Sequence, residues 1–461
     1  MRTYPCLCGN SLFYDNSHCL TCNREVGYCP ACRNLVALLT DEQGGLSCGN
    51  PECGAALAKC ANYVEHQVCN RCLALPVTEP GGLCDCCRFN QTIPDLTVPG
   101  NLQKWYRLES AKRRLFYDLK LLGLPYGTAA DGIKPELSFD FKADVIPKAN
   151  LWRNLAATER VYTGHADGNI TINLREADEV EREKLRVDLG ESKRTLIGHF
   201  RHEIGHFYWD VLIKGRREES FVQLFGDHNH PTYSESLERH YKEGPPADWV
   251  QRYISAYASM HPWEDFAETW ATYLSMVGAL DTAYHMGFGP DFDPLTAELE
   301  PTIVLYQELG VALNEMNRSM GLLDLVPEII VPAVVEKLQF IHDLVKLGRA
   351  ENGALHPDGI PIPMPTSPGL EADAFSQTPV DPAPQPVSAE QPASAPAPSG
   401  PVAPTPPSAA PDVSTEAAPP APAPAPPVAP TPDRVANEAA PVAKQSTAAP
   451  AAIGPPASAL T

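Results

Sequence analysis

The sequence predicts an α+β protein whose core is mostly helical, preceded by a small cysteine-rich head and followed by a long tail without a core. Three observations predict it. All fourteen cysteines fall between Cys6 and Cys87. Two amphipathic helical stretches further on carry His202-Glu203-Ile204-Gly205-His206 and Glu264-Asp265-Phe266-Ala267-Glu268. Proline and alanine then crowd residues 351–461, where no hydrophobic period survives. The expected division is 1–97 for the head, 98–350 for the folded core and 351–461 for a disordered Pro/Ala-rich tail, a tether rather than a domain.

In the head, the cysteines pair as knuckles. Nothing at the N-terminus, MRTYPCLCGN, resembles the apolar stretch of an export signal, and no segment is long and uncharged enough to span a bilayer. A cytoplasmic location is therefore expected, and in that setting such knuckles read as zinc sites rather than disulfides. The spacing gives Cys6, Cys8, Cys19 and Cys22; then Cys29, Cys32, Cys48 and Cys53; then Cys60, Cys69, Cys84 and Cys87. Cys72 and Cys86 are surplus, and Cys72 competes with Cys60 or Cys69 for the third set. Up to three structural Zn²⁺ ions follow, each supplying folding energy that so small a ribbon lacks.

Charge argues against a nucleic-acid role. Residues 1–90 hold six Lys/Arg against eight Asp/Glu, and the whole chain carries a formal charge of −21. Every tetrathiolate zinc adds a further −2, so binding driven by phosphate contacts is disfavoured. A protein partner suits the head better.

Residues 101–122 read as a helix with Trp105, Leu108, Leu115, Leu119 and Leu122 inward and the Lys112-Arg113-Arg114 triplet on a solvated face. Strand-like runs follow at 137–145 and 168–174. His165, Asp167 and Glu176 around the second run are expected to be loop and turn residues.

The stretch 193–212 organises the core. Gly190 and Ser192 precede it as start signals, and Gly215 follows as a stop. Residues four apart on a helix share a face, so His202 and His206 can hold one metal ion together. Neutral imidazoles suit Zn²⁺, and Glu203 is placed to move a proton to and from an activated water. His199, one turn earlier, fits a supporting position rather than a ligand. The polar stretch 221–249, including His228 and His230, suits a wall or lid of the cleft. Gly244-Pro245-Pro246 is expected to turn the chain into a helix around Tyr253.

A catalytic zinc normally takes three protein ligands. After Pro262, a first-turn proline, Trp263, Phe266, Trp270, Tyr273, Leu274 and Val277 mark a core face. Glu264 and Glu268 share the opposite stripe. Glu264 is the expected third ligand, and Glu268 the carboxylate that fixes the tautomer of a ligating imidazole. The rivals are Asp265, about 100° away around the helix and expected at the surface, and His261, expected to cap.

HExxH followed by a helix bearing ExxxE resembles the gluzincin metallopeptidases, and Glu264-Asp265-Phe266-Ala267-Glu268 is similar to the segment of the lethal factor-like branch. The resemblance implies a zincin-like fold, in which an edge strand beside the metal helix receives extended substrate; by order, Ile170–Leu174 is expected to be that strand. It also implies an oxyanion-stabilising tyrosine seven residues before the ligand glutamate, here Tyr257, with Tyr253 the alternative. A phenol O–H there can donate to the charge developing on an attacked carbonyl. More closely, the ribbon head, Cys60-Ala61-Asn62-Tyr63, Ile93-Pro94-Asp95-Leu96, HEIGH, His240-Tyr241 and HPWEDFAETWATYL resemble the bacterial zinc-binding metallopeptidases with a zinc-ribbon head, over about residues 1–350.

The expected function is a zinc-dependent peptidase acting on a peptide or protein. The competing expectation is a catalytically idle zincin that serves as a binding or scaffold protein. Amphipathic stretches at 301–320 and 327–347 are expected to pack beneath the metal helices.

Overall fold

The computed structural model describes residues 1–77, 80–144, 161–188 and 194–355. The expected disorder beyond residue 355 concerns residues outside these. The head opens with a hairpin of β1 (Thr3–Pro5) and β2 (Ser11–Phe13). An antiparallel five-stranded sheet follows, of β3 (Val26–Tyr28), β4 (Leu35–Thr40), β5 (Leu46–Cys48), β6 (Ala56–Lys59) and β7 (Cys72–Ala74), in sequential order. The short helix α1 (Ala61–Val64) lies between β6 and β7.

β8 (Asn90–Thr92) then enters a second sheet. The helix α2 (Asn101–Leu122) spans the residues its periodicity predicts, and all five expected inward residues are buried. Its αL cap at Gly123 (φ 66°) is a conformation glycine adopts without strain. The triplet differs from expectation: Lys112 and Arg113 are buried and only Arg114 reaches solvent.

β9 (Ser138–Lys142), β10 (Gly164–Ala166) and β11 (Asn169–Asn173) complete the second sheet in the order β10-β11-β9-β8. β11 pairs on both sides, parallel to β9 and antiparallel to β10. Ile170–Leu174 is thus an interior strand, contrary to expectation; the edge strand packed against α4 is β10, joined to β11 through a tight turn at Asp167-Gly168. Gly168 is required there, because a Cβ would lie 2.1 Å from the Glu136 carbonyl oxygen.

The helical part comprises α3 (Glu179–Asp188), α4 (Leu196–Tyr208), α5 (Glu218–Phe225), α6 (Tyr233–Glu243), α7 (Pro262–His285), α8 (Leu299–Ser319) and α9 (Pro332–Leu355). The cap of α4 is Thr195, whose side chain accepts from the Gly198 N–H, rather than the earlier Gly190 or Ser192. A π-helical turn, Trp209–Ile213, continues it before Gly215. No helix forms around Tyr253: residues 252–256 are irregular, between short 3₁₀ turns at Trp249–Gln251 and Tyr257–Ser259.

α4 packs on α7, and Gly205 sets how closely: a Cβ there would stand 3.0 Å from Ala267 Cα and 3.2 Å from Trp270 Cβ. Phe266, Ala267, Trp270 and Leu274 of α7 bury themselves against α4, α2 and α9, each large side chain stabilising the fold by about 1.5–3 kcal/mol. Among the described residues, no helix is long and apolar enough to cross a membrane.

Candidate active site

α4 supplies His202, Glu203 and His206, and α7 supplies Glu264 and Glu268 from its first two turns. The close approach at Gly205 brings the two sets together. Glu264 Oε2 stands 3.0 Å from His202 Nε2 and 3.6 Å from His206 Nε2. Donors at 2.0–2.1 Å from a tetrahedral zinc are separated by about 3.3 Å, so these three atoms have the spacing of a shared ion. Burial alone would raise the Glu264 carboxyl, but His206 and His202 outweigh it and hold it far below the usual range. For His202, burial lowers the pKa, yet Glu264 and Glu268 reverse this and raise it well above the ordinary value. A donor set that draws positive charge so strongly fits a cation.

Each group is held from behind. Glu268 Oε1 lies 2.7 Å from His202 Nδ1, and its Oε2 accepts from Ser255 Oγ at 2.7 Å. With Nδ1–H donating to that carboxylate, the neutral form of His202 carries its lone pair on Nε2, the atom that faces Glu264. Glu264 Oε1 accepts from the Tyr233 hydroxyl at 3.0 Å. The ring of His206 packs 4.3 Å from Trp263 and 6.2 Å from His165.

Glu203 is nearly buried and forms no hydrogen bond or ion pair among the described residues. It stands near Tyr233, whose phenol is raised first by burial and then by the Glu264 and Glu203 charges. The Tyr257 ring is 6.2 Å from that of His202.

Other expected placements change. Asp265 is not at the surface: it is buried in an ion pair with Lys337 Nζ of α9 at 2.6 Å, because the α7 face beside Glu264 is covered by α9. His261 caps α7, accepting from the Trp263 N–H, and its Nε2 donates to the His228 carbonyl at 3.2 Å. His199 turns from the metal face to Glu176, 3.2 Å away. Glu176 sits in the 3₁₀ turn Leu174–Ala177, as expected, and is a buried partner of Arg194 as well. His165 lies on edge strand β10 beside the site, pushed down to about 3 by burial and then by His206. Trp263 packs against the core as expected and also against the His206 ring, and Lys337 Nζ lies over Tyr253, 4.4 Å from its ring centroid.

Tyr233 is the residue the sequence reading lacks. Its signal was present: Thr232 and Glu235 form a capping box that fixes Tyr233 in the first turn of α6.

In the head, the sulfurs of Cys6, Cys8, Cys19 and Cys22, of Cys29, Cys32, Cys48 and Cys53, and of Cys60, Cys69, Cys84 and Cys87 converge as three groups. Neighbouring sulfurs lie 3.6–3.9 Å apart. Disulfide sulfurs would be about 2.05 Å apart, whereas Zn–S bonds of 2.3 Å give a tetrahedral edge of about 3.8 Å. Cys72 and Cys86 are buried outside these groups.

Two imidazoles and a carboxylate whose atoms have the spacing of a metal site, joined to a head with three tetrathiol clusters, are the donor sets of a zinc-binding protein of two parts. The family model described as "Putative zinc-binding metallo-peptidase" matches residues 101–344, and one for a zinc-ribbon domain matches residues 3–98. The chain belongs to this zinc-binding metallopeptidase family. An uncharacterised protein of Mycobacterium bovis and its counterparts in two Mycobacterium tuberculosis strains are each 38% identical to it over 354 residues, covering 75% of this chain and 95% of theirs. No solved structure matches the chain.

Proposed function

We propose that the protein is a zinc-dependent peptidase, with His202, His206 and Glu264 as ligands of one catalytic Zn²⁺ and the three cysteine groups as structural zinc sites. The observation that carries the reading is the meeting of Glu264 Oε2 with both imidazole Nε2 atoms, one residue from a nearly buried Glu203 that has no other partner among the described residues. When bound, zinc supplies Lewis acidity towards water and a peptide carbonyl.

The chain's own groups do the rest. Glu203 accepts the proton that water loses as its oxygen bonds to the carbonyl carbon, and delivers it to the departing amine as the C–N bond breaks. Tyr257 donates its hydroxyl hydrogen to the carbonyl oxygen as charge develops there. Glu268 keeps His202 in the tautomer that leaves Nε2 free. An extended substrate pairs with the outer edge of β10, which carries no partner strand among the described residues.

The test is cleavage of a diverse peptide library by the wild type and Glu203→Gln, with zinc measured on both. The expected result is cleavage by the wild type and a loss of about 10²–10⁴-fold in the variant at unchanged zinc content. A wild-type chain with no zinc beyond the ribbon's, or a variant that cleaves normally, overturns the assignment.

A further inference from the structure

We propose that Tyr233 is a positioning residue of the metal centre, acting on Glu264; this rests on the metal site proposed above. The hydrogen-bond chemistry fixes its direction. Ionised Glu264 only accepts, so the single hydroxyl hydrogen of Tyr233 points to Oε1, 3.0 Å away.

With Oε1 held, Glu264 presents Oε2 alone to His202 and His206, which makes it a one-oxygen ligand and leaves room for water and substrate.

Tyr233 is built for such a role. It is in the first turn of a helix fixed by the reciprocal bonds of Thr232 and Glu235. Its ring rests against His261, the cap of α7, at 5.4 Å and Trp263 at 6.2 Å. The α6 segment is thereby braced against the first turn of the helix that carries Glu264. With 36% of the residue exposed, losing one oxygen leaves no buried cavity behind.

The experiment dialyses the intact, zinc-loaded full chain against a series of chelator-buffered free zinc concentrations and measures zinc retained per chain, for wild type, Tyr233→Phe and Tyr257→Phe. Loss of a hydrogen bond to a metal ligand lowers affinity by about 10–100-fold. Tyr233→Phe is expected to release one zinc at free zinc at least about tenfold above the wild-type point, with the cysteine-bound zinc unmoved. Tyr257→Phe, which leaves the Tyr233–Glu264 bond intact, is expected to release it within about twofold of wild type, while kcat falls at similar KM in both variants. Unchanged zinc release in Tyr233→Phe overturns the positioning role but leaves the proposed site standing. So does release of all the zinc together, which marks a fold defect. A wild-type chain with zinc only in the ribbon overturns both.

Discussion

Removing the ammonium of Lys337 isolates a charge next to the proposed metal site. Lys337 Nζ lies 2.6 Å from Asp265 Oδ2 and 2.9 Å from the Arg252 carbonyl, and the two side chains are 8% and 1% exposed. Deleting one partner of a buried pair typically costs about 3–5 kcal/mol, because the other charge remains desolvated. The lost bond to the Arg252 carbonyl adds about 1 kcal/mol. Lys337→Met keeps the length and apolar stem, so about 4–6 kcal/mol is expected, nearly all of it electrostatic. The double variant Asp265→Asn, Lys337→Met removes the orphaned carboxylate and is expected to recover about 2–3 kcal/mol of that loss. All six tryptophans fall between Trp105 and Trp270, so urea unfolding of the zinc-loaded chain at pH 7.5, followed by tryptophan fluorescence, reports this region. If the double variant is no more stable than Lys337→Met, packing rather than charge holds α9 to α7, and the reasoning fails.

Glu176→Gln is expected to cost about 3 kcal/mol: burial raises that carboxyl, but His199 and Arg194 outweigh it and hold it at about 2 against an ordinary 4.5. A depressed carboxylate gives its stabilisation above the unfolded pKa and loses it as pH falls from 4.5 towards 2, so in urea titrations the deficit should shrink as pH is taken below 4.5. Cys60→Ser and Cys29→Ser should differ sharply in thermal unfolding. Cys60, Cys69, Cys84 and Cys87 share the main core with Trp105, Leu108 and Phe116, and loss of that zinc should abolish the tryptophan-reported transition. Cys29 and Cys48 lie in a separate small cluster with Val36, Leu38 and Leu57, so Cys29→Ser should lower zinc content by one ion and move that transition by less than about 3 °C.

What the sequence made legible was whatever rests on short-range spacing. The four-residue separations of His202 from His206 and Glu264 from Glu268 put each pair on one helix face, and the cysteine knuckles group themselves by proximity along the chain. The misreadings came from contacts between distant segments. Strand alternation marks Ile170 to Leu174 as a strand but cannot say which neighbour pairs with each side, and a three-residue strand such as β10 leaves almost no periodic signal. Asp265 reads as polar and therefore exposed, because nothing local tells of Lys337, 72 residues away. Tyr233 lies 31 residues before its partner Glu264, across a polar stretch that reads as a loop.

The triplet Lys112-Arg113-Arg114 shows the same limit in electrostatic form, and it explains how the head and the helical part share one core. A charge run on an amphipathic helix normally faces water, yet Lys112 and Arg113 are among the most buried side chains of the protein. Both pKa values are raised although burial lowers them: Glu109 and the Cys86 and Cys87 thiols favour the charged Lys112, while Cys69, Asp15 and Glu109 favour the charged Arg113. Arg113 also donates to the Val68 carbonyl beside Cys69, and Arg71 is buried with Asp85, next to Cys84, in a bidentate pair. Four thiolates around one divalent ion carry a net charge of −2, a buried dianion that requires cations in its surroundings. α2 supplies two of them. Its basic run is thus the electrostatic complement of the third cysteine cluster, a role that only the folded arrangement of both parts makes visible.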